Sequence, residues 1–252
     1  MIALITGATS GIGKASADIF AKNGWDLILT GRRKDRLETI ASDLQKKYKI
    51  KTLCLNFDVR NVKEVAWNID RLKDEWRNID LLLNNAGLAS GLSTIQDGNI
   101  EDWEIMIATN IKGLLYMTRH IAPLLIAKNK GHIINVASLA GKQVYPNGNV
   151  YCATKFAVDA LSKAMRIDMI QHGIRVTNIA PGLVETEFSI VRFKGDAERA
   201  KKTYENIKAL SAEDIAEIIY WTASRPAHVN INDVVITPTA QANAYVINRK
   251  NS

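Results

Sequence analysis

Residues 2–21, Ile-Ala-Leu-Ile-Thr-Gly-Ala-Thr-Ser-Gly-Ile-Gly-Lys-Ala-Ser-Ala-Asp-Ile-Phe-Ala, decide the fold. The opening residues, 2–6, form a continuous apolar run, which is typical of a buried parallel strand. Glycines at 7, 11 and 13 follow, and the segment after them has a helical pattern. Such a turn lets the backbone approach a pyrophosphate, and the helix N-terminus offers it free N–H groups. The stretch therefore predicts a strand, a dinucleotide-binding turn and a helix.

The rest of the chain repeats the alternation of strand and helix. The main helical patterns span residues 34–47, 61–76, 99–129 and 149–172, and a last one ends at Ala223. Right-handed crossovers then predict an α/β fold, a doubly wound Rossmann-type sheet with helices on both faces. We expect one domain over 1–252, with an insertion at about 183–210. Seven parallel strands are predicted, at residues 2–6, 25–30, 51–57, 80–84, 131–137, 174–179 and 233–237.

Composition limits the classes of function. The chain has 252 residues, of which 47% are hydrophobic, and a net charge of +7 that is spread along it. We therefore expect no nucleic-acid partner, and the absence of a signal peptide or long apolar run predicts a cytoplasmic protein without a membrane partner. Cys54 and Cys152 fit a reducing compartment, and the cysteine spacing predicts no metal site.

The end of the second strand indicates which coenzyme binds. Gly31 is followed by Arg32 and Arg33, where a site for NAD usually carries an acid that binds the adenosine ribose. Guanidinium groups suit a phosphate, so NADP(H), with its 2′-phosphate, is the predicted cofactor. The alternative is a solvated helix N-terminus, where arginine is electrostatically unfavourable.

Two further strand ends carry candidate binding residues. Asp58 and Val59 follow the third strand, and the Asp58 carboxylate could meet the adenine amino group or cap the next helix. The fourth strand ends in Asn84-Asn-Ala-Gly87, whose small residues permit close approach of a ligand. Their amide groups could equally serve only to satisfy the loop backbone.

Tyr151 and Lys155 are spaced to lie on one face of a helix, about one turn apart. A lysine charge beside a phenol lowers the phenol pKa from about 10 towards the range of a general base. Ser138, at the end of the fifth strand, could hydrogen-bond the same reacting oxygen. The spacing Tyr-x-x-x-Lys is also common in ordinary helices.

Asn110 and the insertion complete the candidate site. Asn110 stands among apolar helix residues, where it either holds a water that relays protons from Lys155 or is a satisfied core amide. The insertion follows the carboxyl end of the sixth strand, where ligands bind in open α/β sheets, and could serve as a lid. Within it Arg192 and Lys194 are candidate carboxylate binders or ordinary surface charges.

Together these motifs resemble the short-chain dehydrogenase/reductase family. Residues 6–13 match its T-G-x-x-x-G-x-G turn, residues 84–87 its N-N-A-G and residues 181–182 its P-G. The resemblance covers almost the whole chain. It implies catalysis by Ser138, Tyr151, Lys155 and Asn110, with Asn110 holding the relay water. The coenzyme residues that it implies are Gly7, Thr9, Ser10, Gly11, Ile12, Gly13, Arg32, Arg33, Asp58, Val59, Asn85, Ala86, Gly87, Tyr151, Lys155, Pro181, Gly182, Val184 and Thr186.

Within that family the chain is similar to the NADP-dependent 3-hydroxy acid dehydrogenases. The segments at 31–33, 147–151, 181–184, 187–189, 191–196 and 226–232 carry this likeness. It implies hydride transfer between nicotinamide and C3 of a small acid such as L-serine, L-allo-threonine or 3-hydroxypropionate, with malonic semialdehyde reduced in reverse. Ser138, Tyr151 and Arg192 would bind the substrate. A homotetramer is the assembly that the family implies.

Two other functions remain open at this point. The chain could be a broad NADPH carbonyl reductase with no preference for acids. It could also be a non-catalytic NADP-binding regulator, because fold alone does not establish activity. The polar segment after Thr239 could be a loose tail or a clasp on a neighbouring subunit.

Overall fold

The computed structural model describes residues 1–249 and shows a parallel sheet with helices packed on both faces. The seven strands lie in the order β3-β2-β1-β4-β5-β6-β7, and every pair is parallel. This architecture confirms the predicted fold class. The strands are β1 (Ile2–Thr6), β2 (Asp26–Gly31), β3 (Thr52–Asn56), β4 (Leu81–Asn84), β5 (Gly131–Val136), β6 (Ile174–Pro181) and β7 (Asp233–Ile236).

Helices connect the strands and cover the sheet. Those of residues 1–249 are α1 (Gly11–Lys22), α2 (Lys34–Tyr48), α3 (Val62–Asp70), α4 (Asp74–Arg77), α5 (Ile100–Ile107), α6 (Leu114–Ala127), α7 (Asn149–Asp168), α8 (Phe188–Arg192), α9 (Ala197–Lys202) and α10 (Ala212–Ala223). A π-helical turn, Ala108–Gly113, joins α5 to α6, and short 3₁₀ turns lie at Leu139–Gly141 and Ile170–His172.

Two apolar layers hold the sheet between its helices. Successive strand residues point to opposite faces, so Leu4 and Leu82 pack with α3, α6 and α7, whereas Ile5 and Leu83 pack with α1, α2 and α10. Burial on both faces explains the continuous apolar runs of the sequence. The strands therefore have a fixed register, and their carboxyl ends form one edge.

The strand order reverses beside β1, which lies between β2 and β4. Such a reversal opens a crevice at the carboxyl ends of the strands, where ligands bind in this class of fold. The glycine turn, the Asn84–Gly87 loop, Ser138 and Pro181 all come to this edge. The functional side chains of the sequence are thus brought together by the topology.

The structure corrects the predicted limits of two helices. The helix expected over 61–76 is two helices, α3 and α4, which are separated at Arg71–Lys73. The helix expected over 99–129 contains the π-helical turn, whereas Pro123 lies inside α6 without ending it. A π-helical turn inserts one extra residue into a helix, which hydrophobic periodicity does not reveal.

The C-terminal segment packs on its own chain. The Gln241 side chain accepts a hydrogen bond from the Leu183 N–H, and the Arg249 guanidinium donates to the carbonyls of Thr203 and Glu205. The segment after Thr239 therefore holds the insertion, which contradicts a loose tail. The last part of that segment and of the expected domain, 250–252, lies outside the described residues.

One buried hydroxyl joins the first glycine turn to the loop after β4. The Thr6 Oγ1 atom donates to the Leu83 carbonyl at 3.2 Å and accepts from the N–H groups of Asn85 and Ala86, each at 2.9 Å. The Asn85 amide in turn donates to the carbonyls of Thr6 and Gly7. These bonds fix the distance between the two loops that border the crevice.

Thr6→Val should destabilise the protein by about 1–3 kcal/mol, because it leaves two partly buried N–H groups without an acceptor at nearly constant volume. The free energy of unfolding from urea denaturation measures this loss. Thr6→Ser keeps the hydroxyl and is the matched control. A valine variant as stable as the serine variant would show that the hydroxyl is not what joins the loops.

Candidate active site

A cleft of about 460 Å³ opens at the carboxyl edge of the sheet. The predicted site residues line it with three exceptions, Gly13, Asn110 and Lys194. It extends from the arginines after β2, past the glycine turn, to Tyr151 and Arg192. The structure thus places the expected coenzyme and substrate residues in one continuous space.

The glycine turn is shaped for close backbone approach. Gly7 and Gly11 have φ values of 67° and 49°, in the left-handed region that other residues avoid. A Cβ atom on Gly13 would lie 2.3 Å from the Gly7 carbonyl oxygen, so Gly13 permits helix α1 to pack against the turn. Helix α1 begins at Gly11 and directs its free N–H groups into the cleft.

The two arginines after β2 differ in their surroundings. The Arg32 side chain is 57% exposed, and its nearest anionic partner is Asp58 at 4.0 Å. The Arg33 guanidinium donates from Nε and Nη2 to the Thr9 hydroxyl and from Nη1 to the Glu187 carboxylate at 2.8 Å. Arg32 is therefore available to a ligand phosphate, whereas Arg33 is already held in place.

Asp58 lies in the cleft and does not cap the following helix. The side chain of Asn61 accepts from the N–H groups of Lys63 and Glu64 and caps α3 instead. Burial alone would raise the pKa of Asp58, but hydrogen bonds from Arg60 and the Arg60 charge lower it. The capping alternative is wrong, and Asp58 is an ionised acceptor at the wall of the cleft.

Tyr151, Lys155 and Ser138 meet at the centre of the cleft. Helix α7 carries the first two one turn apart, and the end of β5 delivers Ser138. The Lys155 Nζ atom donates to the Val136 carbonyl at 2.9 Å and lies 5.9 Å from the centre of the Tyr151 ring. Both Tyr151 and Lys155 are buried.

The pKa of Tyr151 is shifted opposite to the sequence-based prediction. Burial raises the pKa of the phenol strongly, the nearby Tyr145 raises it further, and Ser138 and the Arg192 charge only partly offset the rise. Burial also lowers the pKa of the Lys155 ammonium to about 8. The predicted net lowering of the Tyr151 pKa is wrong for this geometry, because desolvation disfavours the charged forms of both groups.

The side chain of Asn110 is a satisfied core amide. Its Oδ1 atom accepts from the Leu88 N–H at 2.9 Å, and its Nδ2 atom donates to the Leu88 carbonyl and to Thr154 Oγ1. Asn110 thus ties the loop after β4 to helix α7, which bears Tyr151. It also lies in the π-helical turn, an irregularity that is frequent at functional sites.

Arg192 reaches the reacting end of the cleft from helix α8. Its guanidinium carbon lies 5.4 Å from the ring centres of both Tyr145 and Tyr151, and Nη2 donates to the Tyr145 hydroxyl. The Arg192 Nε atom is buried without a hydrogen-bond partner among the described residues. Lys194, the other candidate, instead forms an ion pair with Asp102 at 2.9 Å.

The structure adds residues that the sequence reasoning missed. Tyr145, Glu187 and Phe188 line the cleft, and Arg36 holds the Glu187 carboxylate from outside it. Glu187 and Arg36 are 151 residues apart, so only their opposite charges could have suggested the pair. Tyr145 lies between Ser138 and Tyr151 in the sequence, and this position is the one sequence feature that could have suggested its place in the cleft.

Residues 1–249 contain neither a cluster of metal ligands nor a helix that could span a membrane. No group of three or more His, Cys, Asp or Glu residues in this range is placed to hold a metal ion. No helix in the same part of the chain is long and apolar enough to cross a membrane.

Comparison with known proteins gives consistent relatives. A family model described as short chain dehydrogenase matches residues 1–197. An NADP-dependent 3-hydroxy acid dehydrogenase, YdfG, from Salmonella typhi is 49% identical over 243 residues, 96% of each chain. Sulfoacetaldehyde reductase 2 from Chromohalobacter salexigens is 45% identical over 250 residues, 98% of each chain. The closed form of a serine dehydrogenase complexed with NADP⁺ is 46% identical, with a TM-score of 0.92 and 97% of each chain covered.

Proposed function

The chain belongs to the short-chain dehydrogenase family, and we propose that it is an NADP-dependent oxidoreductase acting at C3 of a small 3-hydroxy acid. The main observation behind this proposal is the Arg192 Nε atom, which lies beside the Tyr151 ring and is buried without a hydrogen-bond partner within residues 1–249. Both residues line the cleft that begins at Arg32. The sequence relatives and the serine dehydrogenase structure support the same activity. Bound NADP(H) supplies or accepts the hydride, and in its oxidised form it adds a positive charge.

The residues of the cleft fit this coenzyme. The turn from Gly7 to Gly13 and the N-terminus of α1 would hold the pyrophosphate, and Arg32 would hold the 2′-phosphate. Asp58 and Val59 would border the adenine, and Asn85, Ala86 and Gly87 would border the nicotinamide half. The remaining coenzyme contacts that we propose are Tyr151, Lys155, Pro181, Gly182, Val184 and Thr186.

The proposed acid and base is the Tyr151 hydroxyl. It takes the substrate hydroxyl proton in oxidation and returns a proton in reduction, while Ser138 orients the substrate oxygen. Because burial raises the Tyr151 pKa even with the Arg192 charge nearby, the neutral form dominates until the positive charge of the oxidised coenzyme is added. Lys155 would hold the coenzyme ribose, and Asn110 would keep the loop after β4 fixed against α7.

Arg192 is the proposed partner of the substrate carboxylate. Its buried Nε–H has no acceptor within residues 1–249, and a carboxylate would remove that cost while gaining a charge-assisted hydrogen bond. The short reach between the guanidinium and Tyr151 fits a hydroxyl that lies two carbons from the acid group. A broad carbonyl reductase without acid preference would have no use for this donor.

We propose a homotetramer and a cytoplasmic location, each from a separate observation. Exposed apolar side chains on α6 and α7, including Leu115 and Phe156, favour the homotetramer that the family implies. Cys54 and Cys152 are free thiols, which favours the cytoplasm, where thiols stay reduced.

Tyr151→Phe should lower turnover by about three orders of magnitude or more, because it removes the proposed proton donor and acceptor. NADPH binding, followed by its fluorescence, should remain. NADPH oxidation with malonic semialdehyde measures the rate. Turnover within about tenfold of wild type would reject Tyr151 as the acid and base. Binding of NADPH with no turnover by the wild-type protein on any substrate would indicate the regulator instead.

Arg32→Ala should weaken NADPH binding by about tenfold to a hundredfold and leave NADH nearly unchanged, because the guanidinium would face only the 2′-phosphate. Dissociation constants for both coenzymes give the preference ratio. Lys34→Ala is the matched control, since Lys34 is exposed and pairs only with Glu38. A ratio that Arg32→Ala leaves unchanged would remove Arg32 from the phosphate site.

Arg192→Gln should raise KM for L-serine, L-allo-threonine and 3-hydroxypropionate by about tenfold to a hundredfold, through loss of a charge-assisted hydrogen bond. Neutral alcohols and ketones of similar size should be little affected. Sulfoacetaldehyde belongs in the panel, because a sulfonate offers the same negative charge. Equal losses on acidic and neutral substrates would assign Arg192 a structural part and favour the broad reductase.

A further inference from the structure

The insertion after β6 is attached to the coenzyme side of the cleft through one carboxylate. Glu187 stands immediately before α8, and its two oxygens each contact a different arginine. Oε2 lies 2.8 Å from Arg33 Nη1, and Oε1 lies 2.8 Å from Arg36 Nη1. Both arginines belong to the segment after β2, so the pair joins two distant parts of the chain.

Arg33 has hydrogen atoms left for a second anion. A guanidinium carries five N–H hydrogens, and Thr9 and Glu187 occupy three of those on Arg33. One N–H remains on each terminal nitrogen, and Arg33 lines the cleft beside Arg32. A 2′-phosphate can therefore bind Arg33 without displacing Glu187.

Local charge agrees with simultaneous binding. Arg32, Arg33, Arg36 and Arg60 are cations. Glu187 and Asp58 are the facing anions, and four positive charges against two negative ones leave a balance suited to a phosphate dianion. Hydrogen bonds from Arg33 and Arg36 lower the pKa of Glu187 against the opposing effect of partial burial. The ion pair is therefore complete at neutral pH and is lost only as the pH falls through that lowered pKa.

Glu187 adjoins the groups that meet the substrate. Phe188, the next residue, packs against Tyr151 with ring centres 5.7 Å apart, and α8 ends at Arg192. Beyond α8 a second attachment follows, where Lys194 pairs with Asp102 and the Gly91 N–H donates to the Arg192 carbonyl. Contacts at both ends thus fix the position of α8, and those of Glu187 fix the end nearer the coenzyme.

We propose that Glu187 is a positioning residue that couples the coenzyme 2′-phosphate to the substrate end of the site. Arg33 is shared: the phosphate immobilises its guanidinium, the guanidinium holds Glu187, and Glu187 holds α8 with Phe188 and Arg192. Preference for NADP over NAD then has two parts, tighter coenzyme binding and better placement of α8. The proposal rests on the proposed function, because it requires an NADP site at the arginines.

Hydrogen exchange of the α8 amides tests the coupling without any reaction. Adenosine 2′,5′-bisphosphate should slow exchange at 188–193 by about threefold to tenfold, as expected of an exposed ion-pair network, whereas adenosine 5′-monophosphate should not. In Glu187→Gln the bisphosphate should still bind but should no longer slow exchange. Glu185→Gln is the matched control, an exposed acid in the same loop, and should respond like wild type.

Steady-state kinetics test the consequence. Glu187→Gln should bind NADPH at least as tightly as wild type, because an anion beside the phosphate is removed, yet its KM for the acid substrate should rise about threefold to tenfold. Arg36→Gln, outside the cleft lining, should likewise raise that KM, because Glu187 then keeps only Arg33 as its partner. Lys194→Gln releases the other end of α8 and should raise that KM equally with either coenzyme.

Three results would overturn the coupling. The first is that the bisphosphate slows exchange of the α8 amides equally in wild type and in Glu187→Gln. The second is that the bisphosphate speeds exchange of these amides in wild type, which would show that it competes with Glu187 for Arg33. The third is loss of NADPH affinity in Glu187→Gln with an unchanged substrate KM. If the bisphosphate fails to bind wild type at all, the NADP site itself is wrong, which separates this failure from that of the coupling.

Discussion

The close approach of the first glycine turn to the loop after β4 is the constraint on which the site depends. The hydroxyl of Thr6, at the end of β1, accepts hydrogen bonds from the N–H groups of Asn85 and Ala86 in that loop. The Asn85 side-chain amide in turn donates to the Thr6 carbonyl. Parallel pairing of β1 with β4 brings the two segments to one edge, and the small residues let them meet. The walls that follow β5 and β6 take their positions from this junction, because these strands continue the sheet from β4.

Desolvation then determines the chemistry that the site can perform. Tyr151 and Lys155 are both buried, so each is held nearer its neutral form than in water. A phenol with a raised pKa is a poor base until positive charge approaches. The Arg192 charge already lowers the Tyr151 pKa in part, and the positive charge of an oxidised nicotinamide would lower it further. In the proposed mechanism the tyrosine therefore becomes an effective base only when the oxidised coenzyme is bound.

Much of this arrangement followed from the sequence because it depends on local patterns. Apolar runs and glycines predict the strands and the turn, and the arginines after β2 predict the phosphate position. Patterns of this kind could not give the sign of the Tyr151 pKa shift, which depends on burial from every side. Nor could they place Glu187 against Arg33, since that contact joins segments 154 residues apart. Asp58 failed as a cap because Asn61, three residues on, is the better-placed acceptor.

The insertion is what joins the two ends of the cleft. Short-chain dehydrogenases share the sheet and the catalytic groups, so the choice of substrate must come from what covers the carboxyl edge. Here helix α8 does so, and it carries an arginine whose spare donor needs an anion. The same helix starts at a carboxylate that two arginines bind. An acid at one end and a phosphate at the other would therefore be recognised through one rigid segment. Under the proposed coupling, an anion bound at one end of α8 would therefore restrain the other end as well.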